Sequence, residues 1–176
     1  DVPQTSLVHF QPIQILIPQD RPDRLLVLNQ SGRVDIFMRS GPDVTRVGQF
    51  YAKASTIAVS ADGQTFVSGG GDGTVRLWDR QGQQLGDPLK GHDGSVNSVA
   101  VSADGQTFVS GGEDGTVRLW DRQGQQLGAP LKGHDGPVYS VAVSADGQTF
   151  VSGGGDGMVR LWDRQGQQLG APLKGH

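Results

Sequence analysis

Short Val- and Leu-rich runs alternate with clusters of Gly, Asp, Ser and Gln along most of the chain. Between residues 91 and 132 the first run is Ser95–Ser102 (SVNSVAVS), which ends at Ala103-Asp104-Gly105. Thr107–Ser110 (TFVS) follows, then Gly-Gly-Glu-Asp-Gly, then Thr116–Trp120 (TVRLW), then Asp-Arg-Gln-Gly, and last Gln126–Leu131. Short β-rich runs with turn signals at such spacing predict a unit of four strands. Asp104-Gly105 and Asp114-Gly115 are hairpin signals, because tight primed turns need positive φ, which Gly and Asp tolerate. Val96, Val99, Ala100 and Val101 alternate poorly, which suits a strand covered on both faces. No segment carries apolar residues at helical spacing over three turns, so no helix is predicted.

The unit repeats. Trp78, Trp120 and Trp162 lie 42 residues apart. His92–Gly133 and His134–Gly175 differ at four of 42 positions: Ser95/Pro137, Asn97/Tyr139, Glu113/Gly155 and Thr116/Met158. Ala58–Gly91 and Ala100–Gly133 differ at two of 34: Gly71/Glu113 and Asp87/Ala129. A four-stranded unit of this size cannot bury both faces alone and must stack on its neighbours. Radial stacking around an axis does this while leaving only short edges.

Gly91-His92, Asp114-Gly115 and Trp120-Asp121 recur with this period: Gly-His at Gly133-His134 and Gly175-His176, Trp-Asp at Trp78-Asp79 and Trp162-Asp163. In these features the chain resembles the WD-repeat β-propeller family, and its near-identical copies are similar to recently amplified, notably cyanobacterial, arrays. The resemblance covers roughly residues 50–176. It implies an all-β fold: a propeller arc of four four-stranded antiparallel blades, half of an eight-bladed ring. One domain is expected, with blades at about 11–53, 54–95, 96–137 and 138–176. Residues 1–10 would be an extension or edge strand, at Thr5–Phe10. The first 50 residues resemble a diverged blade, with strands at Ile13–Ile17, Arg24–Leu28, Val34–Phe37 and Val44–Phe50, and Phe37 where the others have Trp. An unrelated cap is the alternative, since repeat arrays need capped ends.

The resemblance also implies a structural hydrogen-bond network in each blade. Its members would be His92, Ser110, Asp114 and Trp120, and again His134, Ser152, Asp156 and Trp162. A third set, Ser68, Asp72 and Trp78, has Phe50 where its His would be, and the first blade has Val27, Ser31 and Phe37. Ser, His and Asp together also invite a hydrolase reading. A triad needs an oxyanion hole and one singular site, however, and nothing distinguishes one copy from the others. No catalytic residue is therefore assigned.

The Gly-rich stretches Ser68–Gly73 and Ser152–Gly157 lack the Lys-Ser/Thr of a phosphate loop, and no helix follows them. Their period of 42 is not the short repeat of calcium-binding Gly-Asp arrays. The repeat histidines are 42 apart and lone within each copy, and the chain has no cysteine, so no metal or cofactor is expected. Asp104, Asp114 and Asp121 are single acids in turns.

Net charge is −3, without a basic stripe or a Lys/Arg run, so neither nucleic acid nor a membrane surface is an expected partner. The longest near-apolar stretch, Ile13–Ile17, is far too short to span a bilayer, and no signal-peptide pattern opens at Asp1. A soluble, cytoplasmic protein is the expectation.

Apart from Asp87/Ala129 in the outer strand, the differences between copies gather at one end of the unit. Ser95, Asn97, Pro137 and Tyr139 lie in or just after the loop entering the first strand. Glu113, Thr116 and Met158 lie in or just after the turn joining the second and third strands. In the propeller family these loops share the partner-binding rim, so the seven residues form a candidate rim for a protein or peptide. The same changes also fit neutral drift at permissive positions. The resemblance implies a non-enzymatic interaction scaffold. Four wedges suited to rings of seven or eight close only half a circle, so a homodimer is expected, with blade four of each chain against blade one of the other. A compact four-bladed monomer is the rival. Alternative roles are a multivalent lectin-like binder, or an engineered or excised propeller piece with no partner but itself.

Overall fold

In a computed structural model, residues 12–16, 24–29, 33–40, 43–51 and 54–174 are described, those up to residue 55 by backbone course alone. The expected edge strand at Thr5–Phe10, the loop holding Ser31, the side chains of Val27, Phe37 and Phe50, and the terminal His176 lie outside what is described.

Every described element is a strand. Four antiparallel sheets follow one another, each meandering in chain order from an inner to an outer strand. The first contains β1 (Pro12–Leu16), β2 (Arg24–Asn29), β3 (Arg33–Ser40) and β4 (Asp43–Tyr51). The second contains β5 (Ala54–Val59), β6 (Thr65–Gly70), β7 (Thr74–Asp79) and β8 (Gln84–Lys90). The third has β9 (Val96–Val101), β10 (Thr107–Gly112) and β11 (Val117–Asp121). The fourth has β12 (Val138–Val143), β13 (Thr149–Gly154), β14 (Met158–Asp163) and the short β15 (Leu173–Lys174). This is an open propeller arc.

The outer strand expected over Gln126–Leu131 is not continuous. It survives as two isolated bridges, Val117↔Leu131 and Trp120↔Gln126. Gly86 at φ +72° and Pro88 hold the same places in the continuous β8, so the glycine and proline do not set the break; the two stretches differ only by Ala129 in place of Asp87.

The turns close as the Asp-Gly signals require. Ser102 Oγ and the Gln106 N–H both donate to Asp104 Oδ1, at 2.5 and 3.0 Å, and Gly105 takes φ +65°. At the turn after β11, Asp121 Oδ1 accepts the N–H groups of Gln123 and Gln125 at 2.9 and 2.8 Å. These acids hold backbone donors that the short loops would otherwise leave unpaired.

Sheets stack face to face, with β9 packed between β5 and β12, and β1 beside β5. The core lies in the seams. Val67, Val75 and Leu77 of the second sheet bury against Val96, Val99, Phe108 and Trp120 of the third. Val109, Val117 and Leu119 of the third bury against Val138, Val141, Phe150 and Trp162 of the fourth. The third and fourth blades thus each lend their Trp to the blade before. In the third sheet the middle strands are hydrophobic on both faces because each face meets a neighbouring sheet.

The fourth sheet has a covered face and an open one. Val151, Val159 and Leu161 are only half-buried. Their counterparts Val109, Val117 and Leu119 are at most 2% exposed.

Candidate functional site

The end of each unit that carries the sequence differences is built from two pieces. One is the loop before the inner strand, and the other is the turn after the second strand. In the third blade the loop over residues 91–95 lies against the turns of two blades. On its own side, the Asp93 N–H donates to Asp114 Oδ2 and the Glu113 N–H donates to the Ser95 carbonyl at 2.8 Å. On the other side, Gly73 of the preceding blade approaches so closely that a Cβ there would stand 2.8 Å from the His92 carbonyl oxygen.

His92 anchors the loop. Its Nε2 lies 2.8 Å from Ser110 Oγ and its Nδ1 lies 3.0 Å from Asp114 Oδ1. Ser110 Oγ in turn accepts the Trp120 indole N–H at 2.9 Å. One tautomer satisfies every group: Trp120 donates to Ser110, Ser110 donates to His92 Nε2, and His92 Nδ1–H donates to Asp114. The fourth blade repeats the arrangement. His134 Nε2 is 2.8 Å from Ser152 Oγ, His134 Nδ1 is 2.9 Å from Asp156 Oδ1, and Trp162 donates to Ser152 at 2.9 Å.

The second blade keeps half of this. Trp78 donates to Ser68 at 2.9 Å, while Asp72 turns to Thr74 and to Arg76, 3.0 Å away.

Ser, His and Asp in line have the spacing of a hydrolytic triad. Their burial removes that chemistry. Ser110 and Ser152 are 0% exposed, and each hydroxyl oxygen already faces an indole N–H. A substrate carbonyl has no path to them. Among the described residues, no three His, Cys, Asp or Glu side chains are grouped to hold a metal ion.

Burial disfavours the charged imidazole and holds the His92 pKa below its ordinary value, although Asp114 works against this. Burial alone would raise the Asp114 carboxyl. The bonds from His92 and from the N–H groups of Thr116 and Asp93 outweigh it, so its pKa lies below the ordinary carboxylate value. Asp156 is lowered for the same reasons.

Acid lability follows. As pH falls below about 6.5, the unfolded chain protonates its histidine before the native one does, and stability begins to drop. Asp114 and Asp156 contribute stability that is full above pH ~4 and lost as pH falls further toward their native values. The thermal midpoint should therefore be flat from pH 8 to 7, decline below 6.5 and fall faster below 4. His92→Gln should flatten the upper part of this profile; an unchanged profile would mean that His92 does not titrate with unfolding.

The candidate rim residues divide. Glu113 is exposed, but its Oε2 accepts the Ser95 N–H at 3.2 Å, so Ser95 and Glu113 knit the rim to itself. Asn97 Nδ2 donates to the Val138 carbonyl at 3.2 Å and bridges to the next inner strand. Thr116 is turned inward. It is buried, and its hydroxyl bonds Asp114 Oδ1 at 2.9 Å, which makes it a fifth member of the network rather than a rim residue. Met158 replaces it in the fourth blade, where His134 Nδ1 instead reaches both Asp156 oxygens, at 2.9 and 3.1 Å. Pro137 is half-buried, and Tyr139, 62% exposed, is the most open aromatic of the described blades. The place of Thr116 was available from sequence in one respect: Asp-x-Thr is an ordinary Asx-turn pattern, and the hydroxyl of the third residue can return to the acid.

A shallow cleft of about 450 Å³ lies between β8 and the outer edge of the third blade, lined by Leu89, Lys90, Gln123 and Gly124 among others.

The profile of the WD domain, G-beta repeat, matches residues 45–79, 82–121 and 124–163, more than half of the chain. The chain belongs to the WD40 repeat family. WD40 propellers are in general interaction scaffolds without catalytic activity, and they mediate protein contacts. The three WD40 matches include most of β4, the second and third blades, and the fourth blade as far as the end of β14. No curated protein matches this WD40 chain. No helix among the described residues is long and apolar enough to cross a membrane.

Proposed function

We propose that this chain is a non-enzymatic WD40 scaffold whose half-ring is completed by a second copy of itself, blade four of each against blade one of the other. The open face of the fourth blade carries this reading. Val151, Val159 and Leu161 are half-buried there, while the same residues in the two preceding blades are covered by the next sheet. Covering the rest of each side chain contributes about 1 kcal/mol, at both junctions of a twofold pair. The rim then runs around both copies, and Tyr139 and Pro137 offer an apolar foothold for a peptide where the chains meet. The absence of activity is supported by the sealed hydroxyls of Ser110 and Ser152.

Light scattering after size exclusion at micromolar concentration tests the assembly. The expected mass is twice the 18.6 kDa of one chain. A mass of 18.6 kDa would overturn the ring.

A further inference from the structure

Each inner strand begins with a bulge, and the four bulges fall at one pitch. The register shifts lie between Pro12 and Gln14, Ala54 and Thr56, Val96 and Ser98, and Val138 and Ser140. Pro12, Ala54, Val96 and Val138 are thus 42 residues apart, so the diverged first sheet keeps the pitch of the others. Just past each bulge the facing residue on the second strand is Leu28, Gly69, Gly111 and Gly153 in turn.

These two positions meet across the seam between the second and third blades and across that between the third and fourth. A Cβ at Gly69 would stand 2.5 Å from Val96 Cγ1, and a Cβ at Gly111 would stand 2.5 Å from Val138 Cγ1. The glycine is a notch and the valine of the next blade is the knob that fills it. The first seam has the sizes exchanged: Leu28 stands at the notch position and Ala54 at the knob position. At Gly153 a Cβ would meet nothing within 4 Å. This notch has no knob.

We infer that the Gly153 notch is the docking site for Pro12 of a second copy. The inference rests on the ring reading above and names the contact that closes it. Pro12 stands at the knob register, its side chain is compact like that of Val, and the first residue of an edge strand with a bulge is a place where proline is at home. Two further groups on the open side point to a strand rather than to any apolar surface. In the seam between the third and fourth blades, Ser98 Oγ accepts the Val141 N–H at 3.1 Å and Asn97 reaches the Val138 carbonyl. Their counterparts Ser140 and Tyr139 are both exposed. Carried on by the same pitch, Ser140 meets the N–H of Ile15 in the second copy, and Tyr139 lies along its Pro12.

The test uses Gly153→Leu, alone and with Pro12→Ala. Nothing surrounds a Cβ at Gly153 and its φ is not left-handed, so the single variant keeps its fold, which circular dichroism would verify. The dimer dissociation constant, read by analytical ultracentrifugation, should rise at least tenfold in Gly153→Leu. Adding Pro12→Ala should recover most of the loss, because the pair then copies Leu28 and Ala54. A dimer unaffected by Gly153→Leu would overturn this contact and leave the ring standing. Loss without recovery would overturn it in favour of two fourth blades face to face. A wild-type monomer would remove the ring and this contact together.

Discussion

Trp120→Ala is expected to destabilise the protein by about 3–5 kcal/mol, the range for emptying the site of a large buried aromatic. Two losses combine. The indole fills the seam between the second and third blades, among Val67, Val75, Leu77, Val96, Val99 and Phe108. Its N–H also completes the chain through Ser110 and His92 to Asp114. Trp120→Phe separates them. It retains most of the burial and loses the N–H, so it should cost about 1–2 kcal/mol, the scale of one buried hydrogen bond and some packing. Urea unfolding followed by circular dichroism measures both. A Trp120→Ala cost below about 1 kcal/mol would mean that the seam does not depend on the indole.

A glycine pair should give the second large effect. Gly115 has φ +73°, and a Cβ there would stand 2.9 Å from the Gly136 carbonyl oxygen and 3.2 Å from that of His134. Gly128 has φ +75° with nothing within 4 Å. Gly128→Ala should then cost only the left-handed penalty, about 1 kcal/mol. Gly115→Ala adds a clash with backbone that cannot turn away, for about 3 kcal/mol in all. The difference between the two, read from thermal or urea unfolding, isolates the close approach of one blade's turn to the next blade's loop. Equal costs would show that the loop yields freely.

Sequence alone reached a good deal of this protein. Alternation of Val-rich runs with Asp-Gly turns predicts strands, and strands and turns are local: Asp104 and Asp121 close their loops with backbone only a few residues away. The 42-residue pitch predicts stacking, since no single four-stranded unit can cover its own two faces. The resemblance to WD repeats implies that His92, Ser110, Asp114 and Trp120 form one group, and His92 and Asp114, 22 residues apart, are joined by a direct hydrogen bond. Thr116 lies inside the rim that its loop forms, because sequence position says which loop a residue occupies and not which way its hydroxyl turns. The outer strand near Gln126–Leu131 is shorter than its pattern predicts, although Gln84–Leu89, which differs from it only at Asp87, forms a continuous strand.

Only the tertiary structure decided which copies of an identical residue are covered. Gly69, Gly111 and Gly153 are the same letter in the same motif, and Val109 and Val151 are likewise one residue repeated. Gly111 receives Val138 and Val109 is sealed, while Gly153 faces open space and Val151 is half-buried. Repetition makes local structure identical from blade to blade, but burial depends on whether a next blade is present, and that is a property of the stack and not of the repeat.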